Sequence, residues 1–390
     1  MTILTIFYTV FFSISLIYFL IITLINIGIF RIKRFRRKSE PLLTKITIII
    51  PARNEEKTIG NCLANISNQD YPGHLMEIII INDNSVDQTE KIILEFAQLH
   101  PSMNIKLIST PAIGIDQAFK KHSIKLGADN STGELLITTD ADTYLKPGWI
   151  SSMVGFFSQH HPQMIIGPVT FCKESSLFSR LQSMEFSGLM AATAGSCEME
   201  FPLMCNGANL AFTRKAYNAT ISLDEDLRYP SGDDLFLMMK IKKKYGSGSV
   251  KYLFSEDAVV SVKAKKTLNE FFSQRIRWVS KSRGYSDPII LIISIITWLF
   301  NCLLLSALLA GIFSFHLFTF SLIILVIKMI IEFPAVWRIM ALSENKTWFL
   351  YPLTQVLNLV YVTLIGILGN VLSYEWKGRN ITHLKRNSQG

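Results

Sequence analysis

The sequence predicts an α/β domain on a mainly parallel mixed sheet, carried on transmembrane helices. Three observations predict it. Short apolar runs alternate with helical patterns between residues 44 and 139, as βαβ units do. Polar clusters fall at the ends of those runs, where open parallel sheets gather ligands. Apolar stretches long enough to cross a bilayer flank this region on both sides.

Residues 3–30 are almost unbroken Ile, Leu, Phe, Thr and Tyr, without a charge. At about 1.5 Å per residue such a helix spans a bilayer core of about 30 Å with length to spare. It is too long for the apolar region of a signal peptide and has no clear cleavage site, so it reads as an anchor. A basic linker over residues 31–43 carries Arg31, Lys33, Arg34, Arg36, Arg37 and Lys38. The positive-inside rule puts that flank in the cytoplasm, where it can touch anionic headgroups. It also explains much of the net charge of +9, so the basic balance is no argument for nucleic acid. The five cysteines (Cys62, Cys172, Cys197, Cys205, Cys302) show no CxxC pair and no zinc spacing. An odd, scattered set fits a reducing compartment.

Residues 44–287 have ordinary soluble composition. A strand over 44–50 ends at Pro51, and a turn leads to a helix with Ile59, Leu63 and Ile66 on one face. A second strand, 77–81, ends at Asn82-Asp83-Asn84-Ser85, and a helix follows through Leu99. A third strand, 105–109, precedes a helical stretch over 116–127. The apolar run 134–139 then delivers Asp140-Ala141-Asp142. The second half is less regular. It predicts a strand over 164–171, a helix over 175–196, a strand over 210–213 and a helix from Ser231 to about Tyr245. Residues 267–283 form an amphipathic pattern approaching the membrane. Beyond it, residues 288–374 hold three hydrophobic segments: 289–333 folds as two spans with a tight turn, and 349–373 makes another. A basic tail, 375–390, closes the chain. Its Lys377, Arg379, Lys385 and Arg386 favour the inside, whereas an anchor plus three spans would end outside.

Two carboxylates one residue apart, at the mouth of a parallel sheet, suit a hard divalent cation. Mg²⁺ or Mn²⁺ takes oxygen ligands and shares them with substrate phosphates. Asp-x-Asp also occurs in solvated turns. Its positional agreement with Arg53-Asn54-Glu55 and Asp83 favours a site. Arg53 and Glu55 sit at a strand-to-helix turn, where backbone amides and the helix dipole favour phosphate or ribose contacts. Capping and salt bridging are their alternative roles. His160-His161-Pro162 has no spaced partners and suggests no metal site.

Five clusters occur in order: Pro51-Ala52-Arg53-Asn54-Glu55-Glu56, Asp83-Asn84-Ser85-Val86-Asp87, Asp140-Ala141-Asp142, Gly232-Asp233-Asp234 and Gln274-Arg275-Ile276-Arg277-Trp278. Together they resemble a membrane-anchored family 2 glycosyltransferase, over roughly residues 44–283. Each motif is common singly; the order, with QxxRW just before apolar spans, makes the likeness specific.

The resemblance implies a GT-A fold, a nucleotide-sugar donor and an inverting mechanism. It implies that Asp142 holds the metal, with Asp140 beside it and against the ribose, and that Asp83 holds the base. The family commonly shows two aspartates where this chain has Asn82-Asp83, which leaves the donor preference open. Lys120 or Lys121 matches a lysine placed against the donor diphosphate, unless both lie on a solvated helix face. Asp234 matches the catalytic base; Asp233 is the fallback, or a helix cap. Gln274 and Arg277 match donor-binding positions, and Trp278 can stack on a sugar. An interfacial helix is the competing reading, and it suits Arg275, Lys281 and Arg283. Gly207 and Asn209 resemble the acceptor-side segment, which an ordinary turn also explains.

The expected enzyme is an integral protein of the cell inner membrane with a cytoplasmic catalytic domain. It moves a sugar, first of all from a UDP-sugar, to a lipid acceptor, because the amphipathic QxxRW helix brings the site beside the bilayer. A processive polysaccharide synthase is the runner-up, although the few spans argue against a self-contained channel. A degenerate membrane scaffold is the non-enzymatic option. Intact Asp142, Asp234 and Arg277-Trp278 speak against it.

Overall fold

The computed structural model describes residues 3–37, 43–110, 120–173, 175–221, 232–344, 347–369, 374–376 and 379–381. Expectations on Lys38, residues 116–119, Ser231, residues 370–373, Lys377, Lys385 and Arg386 lie outside them. Contacts divide the chain into two compact units. One joins residues 33–172 and 204–263 with the tail from Glu375, and the other joins 1–32, 173–203 and 264–374.

The first unit is α/β. Its strands in chain order are β1 (Ile46–Ala52), β2 (Met76–Asn82), β3 (Asn104–Ser109), β4 (Leu135–Thr138), β5 (Tyr144–Leu145), β6 (Met164–Ile166), β7 (Val169–Phe171), β8 (Leu210–Thr213), β9 (Val250–Tyr252) and β10 (Val260–Val262). Seven form one sheet in the order β3-β2-β1-β4-β8-β6-β9. β1 runs parallel to β2 and β4, β2 to β3, and β6 to β9, while β8 is antiparallel to β4 and β6. Ile48 sits level with Ile78 on one side and Ile137 on the other. A strand covered on both faces reads as a near-continuous apolar run, and Ile46, Ile48, Ile49 and Ile50 are all fully buried, with Thr47 between them the polar exception.

Helices supply the cover. Helix Ile59–Ser67 buries Ile59, Cys62, Leu63 and Ile66, a single stripe at helical spacing. Ile46, Ile48 and Ile50 join that core. Ile49 points the other way, where Gly127 of helix Lys120–Asp129 packs on it. The chain order reverses between β1 and β4, so the crevice at their carboxyl ends is the place for a ligand.

The expected strand over 164–171 is two strands in different sheets. Pro168 has no N–H to donate, so the ladder breaks there. β6 stays in the main sheet and β7 joins β10 and β5 in a three-stranded one. Helices Trp149–His160 and Arg214–Thr220 are further elements that the sequence pattern did not announce. The first buries Trp149, Ile150, Met153, Val154, Phe156 and Phe157. It is buried over most of its surface, Ser151 and Ser152 included, and so lacks a clean 3.6-residue apolar stripe.

The second unit is helical. Among the described residues, four helices are long and apolar enough to cross a membrane: Thr5–Arg31, Pro288–Phe313, Phe315–Met340 and Trp348–Leu368. The 289–333 stretch thus falls on two helices. Helix Leu177–Glu198, expected within the soluble domain, belongs by its contacts to this unit. The reason is local: Gly28 and Gly195 face each other, and a Cβ on either would run into the opposite backbone. Helix Leu268–Ser280 starts at Thr267, whose hydroxyl accepts from the Glu270 N–H at 3.2 Å. Glu270 returns the bond to the Lys266 N–H at 3.0 Å, a reciprocal cap.

Part of the basic linker is tied to the α/β unit. Arg34 pairs with Glu256, and Arg37 lies 3.4 Å from Asp70.

Candidate active site

The carboxyl ends of β1 and β2 are stitched together by their polar clusters. Arg53 donates to the Asp83 carbonyl at 2.6 Å. Asn54 and Asn84 both adopt left-handed backbone, with φ of 53° and 51°, which asparagine tolerates better than most residues. The Asn54 carboxamide oxygen accepts from the Val86 N–H at 2.9 Å, and the Asn54 backbone N–H donates to the Ser85 hydroxyl at 3.0 Å. Glu55 accepts from Thr58 at 2.6 Å, while its N–H donates to Thr89.

Asn82 explains itself here. Its amide nitrogen donates to Glu90 at 2.8 Å, and its oxygen accepts from the Ser85 N–H at 3.1 Å. An aspartate could make only the second bond. The departure from the family pattern therefore serves the loop, and Asp83 beside it remains buried at the strand end.

Asp140 and Asp142 leave β4 in a turn. The Thr143 hydroxyl donates to the Asp140 carbonyl at 2.8 Å, and the Cys62 thiol lies 3.7 Å from the same oxygen. Burial pushes the Cys62 thiol up to about 12; the Thr143 bond opposes this, and Asp142, Asp140 and Glu55 add to it. That thiol is therefore neutral at ordinary pH. Asp142 is exposed, whereas Asp140 is half-buried.

Lys120 joins this cluster to the second one. Its ammonium lies 2.5 Å from Asp140 Oδ1 and 3.9 Å from Asp233 Oδ2. Burial works against its charge, but Asp140, Asp233 and Asp234 outweigh burial and hold it above the ordinary lysine range. Asp233 and Asp234 open helix Asp233–Tyr245, and Gly232 before them takes φ 92°. Asp234 Oδ2 accepts from the Gly207 N–H at 3.0 Å, and Oδ1 from the Leu235 N–H at 2.8 Å. A Cβ on Gly207 would stand 2.9 Å from Lys120 Nζ and 3.4 Å from Asp233 Oδ2, so a side chain there would push the lysine ammonium aside.

The lysine alternatives separate. Lys120 faces the carboxylates, while the Lys121 ammonium lies 4.3 Å over the Phe236 ring. Lys121 lines a cavity of about 90 Å³ with Phe212, Tyr217 and Phe236, and Asp233 and Asp234 border it.

Asn209 requires a correction. It is fully buried. Its oxygen accepts from Trp149 Nε1 at 2.8 Å, and its amide donates to the Pro168 and Ala258 carbonyls, both at 2.8 Å. Both amide donors are used inside the protein, so Asn209 holds the strands around β8 rather than an acceptor. Arg275 also departs from expectation. It is 1% exposed and paired with Glu185 rather than lying at an interface. Gln274, Arg277 and Trp278 lie on the same helix, in the helical unit.

The donor set fits a phosphate-bound cation. Among the described residues no three His, Cys, Asp or Glu side chains gather as a metal cage. A Mg²⁺-type ion needs only one or two carboxylates when phosphates and water complete its shell. Asp140 already carries a cationic group, the Lys120 ammonium. Asp140 and Asp142 are the residues that would hold the ion.

A GT-A fold with this site defines a glycosyltransferase. The chain superposes on the mannosyltransferase PcManGT from Pyrobaculum calidifontis, solved with GDP-Man and Mn²⁺. The TM-score is 0.59 at 18% identity, covering 93% of this chain and 97% of that one. That likeness speaks for the fold. The profile described as Glycosyl transferase family 2 matches residues 47–220. The one described as Glycosyl transferase family group 2 matches residues 135–372. The second match covers more than half of the 390 residues, and the chain belongs to glycosyl transferase family group 2.

Two curated relatives match shorter stretches. One is a dolichyl N-acetyl-alpha-D-glucosaminyl phosphate 3-beta-D-2,3-diacetamido-2,3-dideoxy-beta-D-glucuronosyltransferase of Methanococcus voltae. It is 33% identical over 109 residues, 28% of this chain and 32% of its own length. The other is an undecaprenyl-phosphate 4-deoxy-4-formamido-L-arabinose transferase of Edwardsiella ictaluri. It is 27% identical over 161 residues, 41% of this chain and 47% of its own length. The matched region thus spans a third to a half of these relatives.

Proposed function

We propose that this glycosyltransferase moves one sugar from a nucleoside-diphosphate sugar, a UDP-sugar first of all, to a lipid acceptor held in the membrane, with inversion. One observation carries the reading: Asp140 and Asp233 converge on the same lysine ammonium, at 2.5 and 3.9 Å. That shared lysine supports reading the strand-end and helix-start carboxylates as one site. Donor and acceptor chemistry can meet there.

A cation at Asp142 and Asp140 would neutralise the diphosphate as it leaves. Asp83 accepts from the base, and Arg53 and Glu55 flank the nucleotide at the first turn. Lys120 turns its ammonium from Asp140 toward the diphosphate oxygens. Asp234 takes the proton of the acceptor hydroxyl, and the Gly207 N–H holds its carboxylate in place. Gln274, Arg277 and Trp278 bind substrate, on the strength of their motif.

The lipid acceptor is supported by the four apolar helices and by the polyprenyl phosphates named in two relatives. The basic exit of the first apolar helix supports a cytoplasmic site, and hence an inner-membrane protein. The test is to incubate membranes bearing the chain with labelled UDP- and GDP-sugars plus Mn²⁺ or Mg²⁺, then extract lipids. The expected label is in the organic phase, absent with Asp142→Asn. Label only in long water-soluble product, or no nucleotide release from any donor, would overturn the reading.

A further inference from the structure

Arg275 lies inside the QxxRW segment yet is not one of its named letters. Its side chain is 1% exposed, and Glu185, 7% exposed, is its ion-pair partner. The second arm of the guanidinium, Nη1, donates to Gln274 Oε1 at 2.8 Å. The guanidinium carbon lies 4.1 Å from the centre of the Trp278 ring and 4.6 Å from that of Phe271. Phe186, next to Glu185, packs against Trp278 with centroids 6.1 Å apart.

These contacts do more than join two helices. Arginine can only donate, so the Gln274 atom facing it is the carbonyl oxygen. The two amide N–H donors of Gln274 are thereby turned away from the guanidinium. The flat guanidinium also lies over the indole ring, so a sugar cannot stack on the face it covers. We propose that Arg275, held by Glu185, is the positioning residue of this segment. It makes Gln274 a donor toward substrate oxygens and fixes which face of Trp278 meets a sugar. The proposal rests on the reading of Gln274 and Trp278 as substrate-binding groups.

A buried ion pair replaced by apolar residues of similar size often keeps or gains stability. That separates positioning from mere helix joining. In the full chain in detergent, the Glu185→Leu/Arg275→Met double variant is expected to keep its thermal midpoint. Its KM for donor or acceptor should rise about tenfold or more, with kcat changing less. Arg275→Lys keeps the charge but lacks the planar fork, and the same rise is expected.

A second readout needs no turnover. The chain has six tryptophans. With 5-fluorotryptophan, the Trp278 ¹⁹F line, assigned by Trp278→Phe, should move in both variants while the other lines stay. A shifted line in a chain without transferase activity would sink the proposed reaction and leave the positioning role standing. An unmoved line, or a wild-type KM in both variants, would overturn the positioning role.

Discussion

In the α/β unit the ionic groups stand at strand ends and helix starts, partly open. Asp140, Lys120 and Asp233 keep 36%, 19% and 12% of their side chains exposed. In the helical unit they are sealed. Arg275 and Glu185 keep 1% and 7%, and Lys328 and Glu332 keep 3% and 14%. There, each charge is met from several sides. Lys328 bonds Glu332 at 2.9 Å and also Gln355; Gln355 donates to Glu332 at 2.8 Å, and the Tyr18 hydroxyl donates to Glu332 as well. Removing an ion from water costs several kcal/mol, and only saturated pairing offsets it. Charges that remain open can exchange partners with a ligand. The open set should therefore govern chemistry without folding, and the Lys328–Glu332 cluster folding before chemistry, while Arg275–Glu185 is the sealed pair that also positions Gln274 and Trp278.

The largest effect tests the open set. Asp234→Asn and Asp142→Asn should each lower the transfer rate by about 10²–10⁴-fold, the range for a lost general base or its equivalent. Their thermal midpoints should stay at the wild-type value. Rates and unfolding are measured on the same preparations. A rate that falls only in step with the folded fraction would erase the distinction between the units. Wild-type turnover by Asp234→Asn would move the base to Asp233.

The sealed set comes next. Glu332→Gln leaves Lys328 buried without a counter-charge and should destabilise the chain by about 3–5 kcal/mol. Lys328→Met/Glu332→Leu should recover most of that. Thermal unfolding in detergent reads both. Equal stability of the single variant and the wild type would show that the cluster does not lock these helices.

The same contrast explains what the sequence could tell. Strand ends with clustered polar residues are local features, so position and pattern single out Arg53, Asp83, Asp140 and Asp142, whereas Asp233 and Asp234 stand out only through the family resemblance. Lys120 and Lys121 were not separable, because only the helix's seating turns one toward Asp140 and the other onto Phe236. Helix Leu177–Glu198 reads as soluble by its Ser, Thr and Gly content. Its place among apolar helices follows from the Gly28–Gly195 approach, which no single-segment pattern records. Arg275 next to a membrane span looks like a flank charge, and Glu185, 90 residues away, leaves no local trace. Asn209 looked like a ligand group because the sequence does not reveal that Trp149, Pro168 and Ala258 claim all of its bonds.

Asn209 gives a smaller test of the line between scaffold and site, since it lies close to the open charges but is sealed. Asn209→Leu leaves Trp149 Nε1 and two carbonyls without their partner, at about 1–3 kcal/mol for each group that stays unsatisfied. The thermal midpoint should fall, while the KM of the remaining folded enzyme should stay put. A raised acceptor KM at full stability would return Asn209 to the acceptor side.

The smallest effect belongs to Asp87, which is charged yet structural. Burial raises its carboxyl, but the Thr89 hydroxyl and the N–H groups of Glu56 and Thr89 bind the anion and hold it below 3.8 overall. The hydroxyl bond is 2.5 Å and the Glu56 bond is 3.1 Å. A carboxyl lowered by folding stabilises the folded state fully above its unfolded pKa, about 3.9. That contribution fades as the pH falls through the folded value. Asp87→Asn should thus lower the thermal midpoint slightly at pH 7, and the two chains should converge as acid protonates the wild-type group. Midpoints measured from pH 7 downward read the convergence. A gap that stays constant into acid would mean that Asp87 acts by shape, so that even a partly open charge in the α/β unit can be purely structural.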